Sequence, residues 1–422
     1  MPLVYIALQI QTTSQVTRPD KGRAPVNQFA HFRELPDASD QVVVGLNVDT
    51  LYSIADLDLS GGPLVLSVPP MGERYWLMQL IDAWNNVPHV PGTRTIGAGG
   101  GHFAITGPDW SGELPEGVEE LRMPTNLALL GGRTYVSGPQ DYAAAHRLQD
   151  QYRLVPLAAW GSDWTPPAEV PLQPGVDART PVTTQVFAMP PDRFFSRLND
   201  LLATNPVYPE DAPQMERLAA LGIGPGAVFP WDDFTPEVQG AITRSVEDAK
   251  ETVRSAQAHL GENVNGWMVT LDMGRYGTRY PYRAAWTFFG VGGNLIEDAC
   301  YPLALTDGQG RPLDASHHYR LHFDKEQLPP VDAFWSLTLY DPDSYLVANP
   351  ANRYALGDRT GLDYGDDGSL TLTIQAHEPT GGSANWLPTP TEGAFKVALR
   401  LYSPKPEVAQ GTWEPPAIER LD

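Results

Sequence analysis

Three side chains are placed to move protons: Asp82, Asp49 and Tyr52. Asp82 closes the run Tyr75-Trp76-Leu77-Met78-Gln79-Leu80-Ile81-Asp82, where Trp76, Met78 and Leu80 share its face of an extended strand. Its carboxylate therefore emerges at the end of an apolar wall, beside Trp84. Burial there raises a carboxylic acid's pKa unless amide or guanidinium donors hold it ionised, and Asn85, Asn86 and Arg133 are the candidate donors. Such a carboxylate, with Tyr and Arg near it, suits metal-independent acid/base work: hydrolysis, elimination, isomerisation or cyclisation of a small organic molecule. The plainer alternative is a structural Asp that caps the turn after the strand.

Asp49 and Tyr52 stand at the entrance to a neighbouring strand and join Asp82 only if the sheet brings the two strand ends together. Trp84, Asn85, Arg133, Tyr276 and Arg283 complete the candidate set as substrate-binding groups, with Arg283 the one suited to an anion. An Arg resting over Tyr rings at the surface is the commoner outcome for that last group. A metal is not expected. His317-His318 with His322 is the one His cluster, and on a strand His318 and His322 stand ~13 Å apart at ~3.3 Å per residue, too far for one ion. Gly97 to Gly101 lacks the helix and Lys of a phosphate loop, and neither a dinucleotide fingerprint nor a Gly-x-Ser-x-Gly elbow occurs, so no cofactor is expected either.

The elements that must position these groups read as strands in two blocks around a helical one. Leu51, Ser53, Ala55, Leu57 and Leu59 alternate with Asp56 and Asp58, a half-buried strand. Residues 41–44, 63–69, 74–82, 102–106 and 127–130 are further strands, with 74–82 central because both of its faces are apolar. Helical spacing then takes over in residues 141–152, 191–202, 215–221 and from Thr235-Pro236 to Gly261. Strand patterns return at 282–289, 319–323, 333–340, 370–375 and 395–402. This gives an N-terminal arm (1–26), a first jelly-roll-like antiparallel β-domain (27–137), a helical region (138–262) and a second such domain (263–422), a mainly β chain with a helical insert.

The two β-blocks echo one another. Tyr75-Trp76 through Asp82 is answered by Phe334-Trp335 through Asp341, Asn47, Asp49 and Tyr52 by Asn294, Asp298 and Tyr301, and Arg133-Thr134-Tyr135 by Arg400-Leu401-Tyr402. We read this as one β-domain used twice.

Composition excludes several classes. A net charge of −22 with no Lys/Arg cluster opposes nucleic-acid or anionic-membrane binding. No run reaches the ~18 apolar residues of a membrane span. The single Cys300 rules out an intrachain disulfide and a multi-cysteine site, and nothing near it lowers its pKa. The start has no basic leader or clear cleavage site, which points to the cytoplasm, with secretion as the alternative if the true start lies upstream.

Several of these stretches resemble a known family. Asn47-Val48-Asp49-Thr50-Leu51-Tyr52-Ser53, Asp82-Ala83-Trp84-Asn85, Pro124-Thr125-Asn126, Gly132-Arg133-Thr134 and Trp160-Gly161 are similar to the N-terminal half of the bacterial and fungal proteins built from domains of unknown function 1254 and 1214. Asn294 with Glu297-Asp298-Ala299, Pro329-Pro330-Val331-Asp332-Ala333-Phe334-Trp335, Asp367-Gly368-Ser369-Leu370 and Asn385-Trp386-Leu387-Pro388 are similar to the C-terminal half. The resemblance spans about residues 2 to 421 and implies two jelly-roll domains joined by helices, in a homotrimer. It implies no particular reaction. The start departs from the many relatives that carry a signal peptide and a longer first helix.

Overall fold

Alternation of Leu51, Ala55 and Leu57 with Tyr52, Ile54 and Asp56 gives one strand two unlike faces, and the first half of the chain is built around it. The computed structural model describes residues 1–41 and 44–422. After helix α1 (Pro2–Thr13) come strands β1 (Ala30–His31), β2 (Thr50–Asp58), β3 (Leu64–Val68), β4 (Trp76–Asp82), β5 (Gly101–Thr106), β6 (Glu119–Arg122) and β7 (Leu127–Tyr135). Helix α2 (Tyr142–Gln149) and strand β8 (Arg153–Pro156) follow. The strands form two sheets, β1-β2-β7-β4 and β6-β5-β3-β8, whose facing sides bury Leu57, Leu66, Trp76, Met78, Phe103 and Leu130.

Three expectations change here. The first sandwich extends past residue 137, because β8 pairs with β3 beyond α2. Strand β4 ends its sheet instead of lying inside it. Its far edge carries only isolated bridges, Leu77 with Gly92 and Leu80 with His89, and its second face is apolar because other layers cover it. The N-terminal arm contains a helix with Leu3, Val4 and Ile6 fully buried, which the polar run after it obscured. Of the strand expected at 41–44, Val42 and Val43 lie outside the described residues, and Gln41 and Val44 belong to no strand.

The helical region holds α3 (Val182–Ala188), α4 (Pro191–Leu202), α5 (Ala212–Ala219) and α6 (Pro236–Ser255). Thr235 caps α6, its hydroxyl accepting the Val238 amide, and Pro236 fills the first turn where no N–H is needed. Strands β9 (Glu262–Val264) and β10 (Trp267–Val269) lead to α7 (Tyr280–Gly290). This helix replaces the strand expected over 282–289. Aromatic richness favours a strand, but Pro281 opens a helical turn, Tyr282 meets Trp286 four residues on, and Arg283 and Thr287 share the buried face.

The second sandwich uses β11 (Ala299–Cys300), β12 (Leu303–Ala304), β13 (Tyr319–Phe323), β14 (Val331–Tyr340), β15 (Ala355–Gly357), β16 (Leu370–Gln375), β17 (Trp386–Pro388), β18 (Lys396–Pro404) and β19 (Ile418–Arg420). Its sheets run β15-β14-β18-β12-β10-β9, with β11 beside β18, and β17-β16-β13-β19. Among the described residues the chain is thus a mixed helix and sheet protein with four mainly antiparallel sheets, less purely β than composition suggested. The β4-containing sheet of the first sandwich turns its outer face to the β14-containing sheet of the second, where Tyr75, Leu77 and Ile81 pack with Phe334 and Tyr402. Helix α1 covers the rest of that face.

Candidate functional site

The layer between the sandwiches is polar as well as aromatic. Register places Arg133 on β7 directly opposite Tyr52 on β2, and its guanidinium carbon lies 5.5 Å from the Tyr52 ring centre. The Tyr52 hydroxyl accepts the Asn47 side-chain amide at 2.5 Å, and Arg133 Nη1 donates to Gln79 Oε1 at 3.1 Å. Facing them, Arg400 on β18 lies 5.5 Å from the Tyr301 ring centre, and the Tyr301 hydroxyl donates to Asn294 Oδ1 at 3.0 Å. Each sandwich therefore presents one Asn, one Tyr and one Arg to the shared layer. Asp49 lies half-buried between the two, its Oδ2 accepting from Ser336 Oγ at 2.8 Å and the Tyr402 hydroxyl at 3.0 Å. Burial raises the Asp49 pKa, and these two donors with the Arg400 charge partly offset it.

A cavity of about 220 Å³ opens beside this layer, reached by Tyr52, Gln79, Arg133, Asp56, Arg23 and Gly131. Gly131 forms open floor: a Cβ there would meet nothing within 4 Å. Asp56 sits on the same face of β2 as Tyr52, four residues along, which is ~13 Å of strand. Thr13, at the last turn of α1, donates to Asp56 Oδ2, while Oδ1 has no hydrogen-bond partner among the described residues. Arg23 is engaged elsewhere, donating to the Thr12 and Thr13 carbonyls that end α1. Burial pushes the Asp56 carboxyl up to about 7 against the opposing pull of Thr13 and Arg23. A carboxyl titrating near neutrality at one end of a cavity and a guanidinium at the other can bind a polar molecule and exchange a proton with it.

The eight expected residues fall into two groups. Asp49, Tyr52 and Arg133 belong to the layer just described. Asp82, Trp84, Asn85, Tyr276 and Arg283 meet around the turn after β4. Asp82 is fully buried: Oδ1 accepts the Trp84 and Asn86 amides at 2.9 and 2.8 Å, and Oδ2 accepts the Tyr208 hydroxyl. Burial still lifts its carboxyl to about 6. Asn85 takes a left-handed backbone, φ 67°, and bridges Thr287 Oγ1 to the Gly292 amide. Trp84 donates to the Pro206 carbonyl at 2.7 Å. Arg283 lies 5.5 Å from the Trp84 ring centre and 3.7 Å from buried Asp211. Tyr276 is buried, its amide donating to Asn86. Gly292 and Gly293 tie the groups together, since Gln79 donates to both of their carbonyls.

Sequence reasoning missed Asp56, Gln79 and Thr13. Asp56 read as the solvent side of an amphipathic strand, and only the packing of α1 makes that side an interior. Arg400 and Tyr301 carried one signal, the internal echo of Arg133 and Tyr52. Among the described residues no three His, Cys, Asp or Glu side chains converge as a metal site, and no helix is long and apolar enough to cross a membrane.

Comparison with known proteins places both halves. Residues 26–156 match the model described as protein of unknown function DUF1254, and residues 298–406 match that described as protein of unknown function DUF1214. No curated protein matches the chain. Among solved structures, the VPA0106 protein from Vibrio parahaemolyticus is similar at 24% identity and a TM-score of 0.73, over 100% of this chain and 97% of that one. An uncharacterised protein from Burkholderia cenocepacia reaches 14% identity and a TM-score of 0.48, over 100% of this chain and 87% of that one, too distant to argue from. With the DUF1254 match covering the first sandwich and the DUF1214 match the body of the second, the chain belongs to the family that joins these two domains in this order.

Proposed function

We propose that the protein is a metal-independent acid/base enzyme acting on a small organic molecule in the cavity floored by Gly131. Asp56 exchanges the proton, and Tyr52 and Arg133 hold the substrate. The observation that carries this is the free Oδ1 of a carboxyl titrating near 7 on a cavity that also reaches Arg133. Asp82, the first candidate from sequence, takes a positioning role instead, because both of its oxygens are engaged with the turn and Tyr208. Asp49 likewise fixes Ser336 and Tyr402 across the layer. The test is a turnover screen with small esters, lactones, epoxides and unsaturated acids, comparing wild type with Asp56→Asn. Any activity that survives Asp56→Asn at the wild-type level sinks the assignment.

The two sandwiches are proposed to be jelly-roll-like copies of one domain. Supporting this, β2-β7-β4 corresponds to β12-β18-β14, and β6-β5-β3-β8 to β17-β16-β13-β19, each with one parallel pair. An experimental structure in which residues 75–82 and 334–341 do not each pair with the corresponding strand, β7 and β18, would refute the duplication.

A second reading, a non-catalytic ligand-binding or structural trimer, draws on the helical region. An apolar groove of about 760 Å³ runs between α4 and α6, with Leu221, Val238 and Phe229 along it and Val228, 88% exposed, close by. A second copy of the chain would cover that apolar area. Light scattering that gives a monomer mass at micromolar concentration rules the trimer out. A cytoplasmic location is proposed from the single, buried Cys300, which suits a reducing compartment; export of the full-length protein would refute it.

A further inference from the structure

We infer that the molecule taken into the Gly131 cavity carries a carboxylate, seated on Arg133 with Arg400 behind it; this rests on that cavity being the active site proposed above. Charge compensation is the argument. Arg283, with Arg400 the other fully buried arginine among the described residues, faces Asp211 at 3.7 Å, and the less buried Arg74 and Arg94 meet Asp141 at 2.6 Å and Asp298 at 2.8 Å. Among the described residues, neither Arg133 nor Arg400 has a carboxylate oxygen within 4.0 Å. Arg400 is only 7% exposed and finds one carbonyl, that of Gly45, for its Nη2. Asp49, the acid of this layer, is held by Ser336 and Tyr402. Holding a cation away from water without a counter-charge is unfavourable. Asp49 lies near enough to feel the Arg400 charge, whereas half-buried Arg133 has no carboxylate within 4.0 Å and calls for an anion from outside.

An unpaired donor agrees. Arg133, which lines the cavity, has its Nε without a partner among the described residues, an N–H group that only an acceptor can satisfy. A planar carboxylate matches the guanidinium fork, which point acceptors do not. Size narrows the class further. The 220 Å³ cavity holds about seven waters at ~30 Å³ each, room for a short aliphatic or single-ring acid. With its carboxylate on Arg133, the rest of such a molecule extends along the strand direction toward Asp56, where the proposed proton exchange takes place.

The experiment is calorimetric titration of the full-length protein with benzoate and with its neutral isostere benzamide. Wild type is expected to bind benzoate at least tenfold more tightly than benzamide. Arg133→Gln should lose at least tenfold toward benzoate and bind the two alike. Gly131→Leu, which fills open floor and leaves both arginines in place, should weaken both ligands and keeps the test informative if Arg133→Gln does not fold. Equal affinities in wild type, no binding of either molecule, or undiminished benzoate binding in Arg133→Gln or Gly131→Leu would overturn the inference. Asp56→Asn separates the two proposals: it is expected to retain benzoate affinity within about threefold while turnover is lost. Carboxylate binding with turnover intact in Asp56→Asn would remove the acid/base reading and leave this one. Loss of turnover without carboxylate preference would do the reverse.

Discussion

Arg133 and Tyr52 face one another across the β2–β7 ladder with the guanidinium carbon 5.5 Å from the ring centre, and Arg400 stands over Tyr301 at the same 5.5 Å in the other half. Such a contact is worth roughly 0.5–2 kcal/mol, more as water is excluded. The Tyr52 hydroxyl adds a bond from Asn47. Tyr52→Phe removes the hydroxyl and keeps the ring, so a loss of about 1–2 kcal/mol is expected in urea denaturation. Tyr52→Leu also removes the cation–π contact and should cost about 1 kcal/mol more. Equal losses would mean that the ring contributes nothing.

Two adjacent glycines should respond oppositely to Ala. A Cβ on Gly132 would lie 2.7 Å from Met78 Sδ and 2.7 Å from the Ser53 carbonyl oxygen, which cannot withdraw. Gly132→Ala is expected to cost about 1–3 kcal/mol through overpacking. Gly131→Ala meets nothing within 4 Å and should stay within about 1 kcal/mol of wild type. Thermal melts of the pair decide this, and similar losses would show that the inner and outer faces of β7 are misassigned.

Half-buried Asp56 and buried Asp82 set a pH dependence of definite sign. Asp56 rises from 3.8 to about 7 and Asp82 from 3.8 to about 6. Between those values the native state holds protons that the unfolded state has released, so each group lowers stability by about 1.4 kcal/mol per pH unit as pH rises. The contribution is complete below pH ~4 and is lost by pH ~7 for Asp56 and pH ~6 for Asp82. Asp56→Asn should therefore flatten the stability profile between pH 4 and 7. An unchanged slope across that range would show that Asp56 titrates normally. Turnover that depends on ionised Asp56 should rise with pH through about 7.

Asp82→Asn tests the positioning role. One amide oxygen still accepts the Trp84 and Asn86 N–H groups, while the NH₂ replaces the oxygen that Tyr208 addressed. The expected cost is about 1–3 kcal/mol in chemical denaturation, with benzoate affinity unchanged. A loss of affinity of tenfold or more at full stability would return Asp82 to the site.

Local signals in the sequence settled a good deal. Alternation along residues 51–59 fixed β2 and its inward face, the spacing of Phe194, Leu198, Leu201 and Leu202 with Pro191 at the start gave α4 its bounds, and the echo of Arg133 in Arg400 marked both guanidiniums. These features depend on the period of the chain and on neighbours a few residues away, which a sequence displays directly. Burial and charge compensation do not. Asp56 becomes an interior acid only because α1 lies across its strand, and Asp82 becomes structural because Tyr208, 126 residues on, takes its second oxygen. Whether Arg133 has a counter-charge depends on a layer assembled from both ends of the chain, and an aromatic run such as 282–289 takes helix or strand according to what packs against it. Desolvation is set by every atom around a group, so it becomes legible only once the tertiary structure has brought those atoms together.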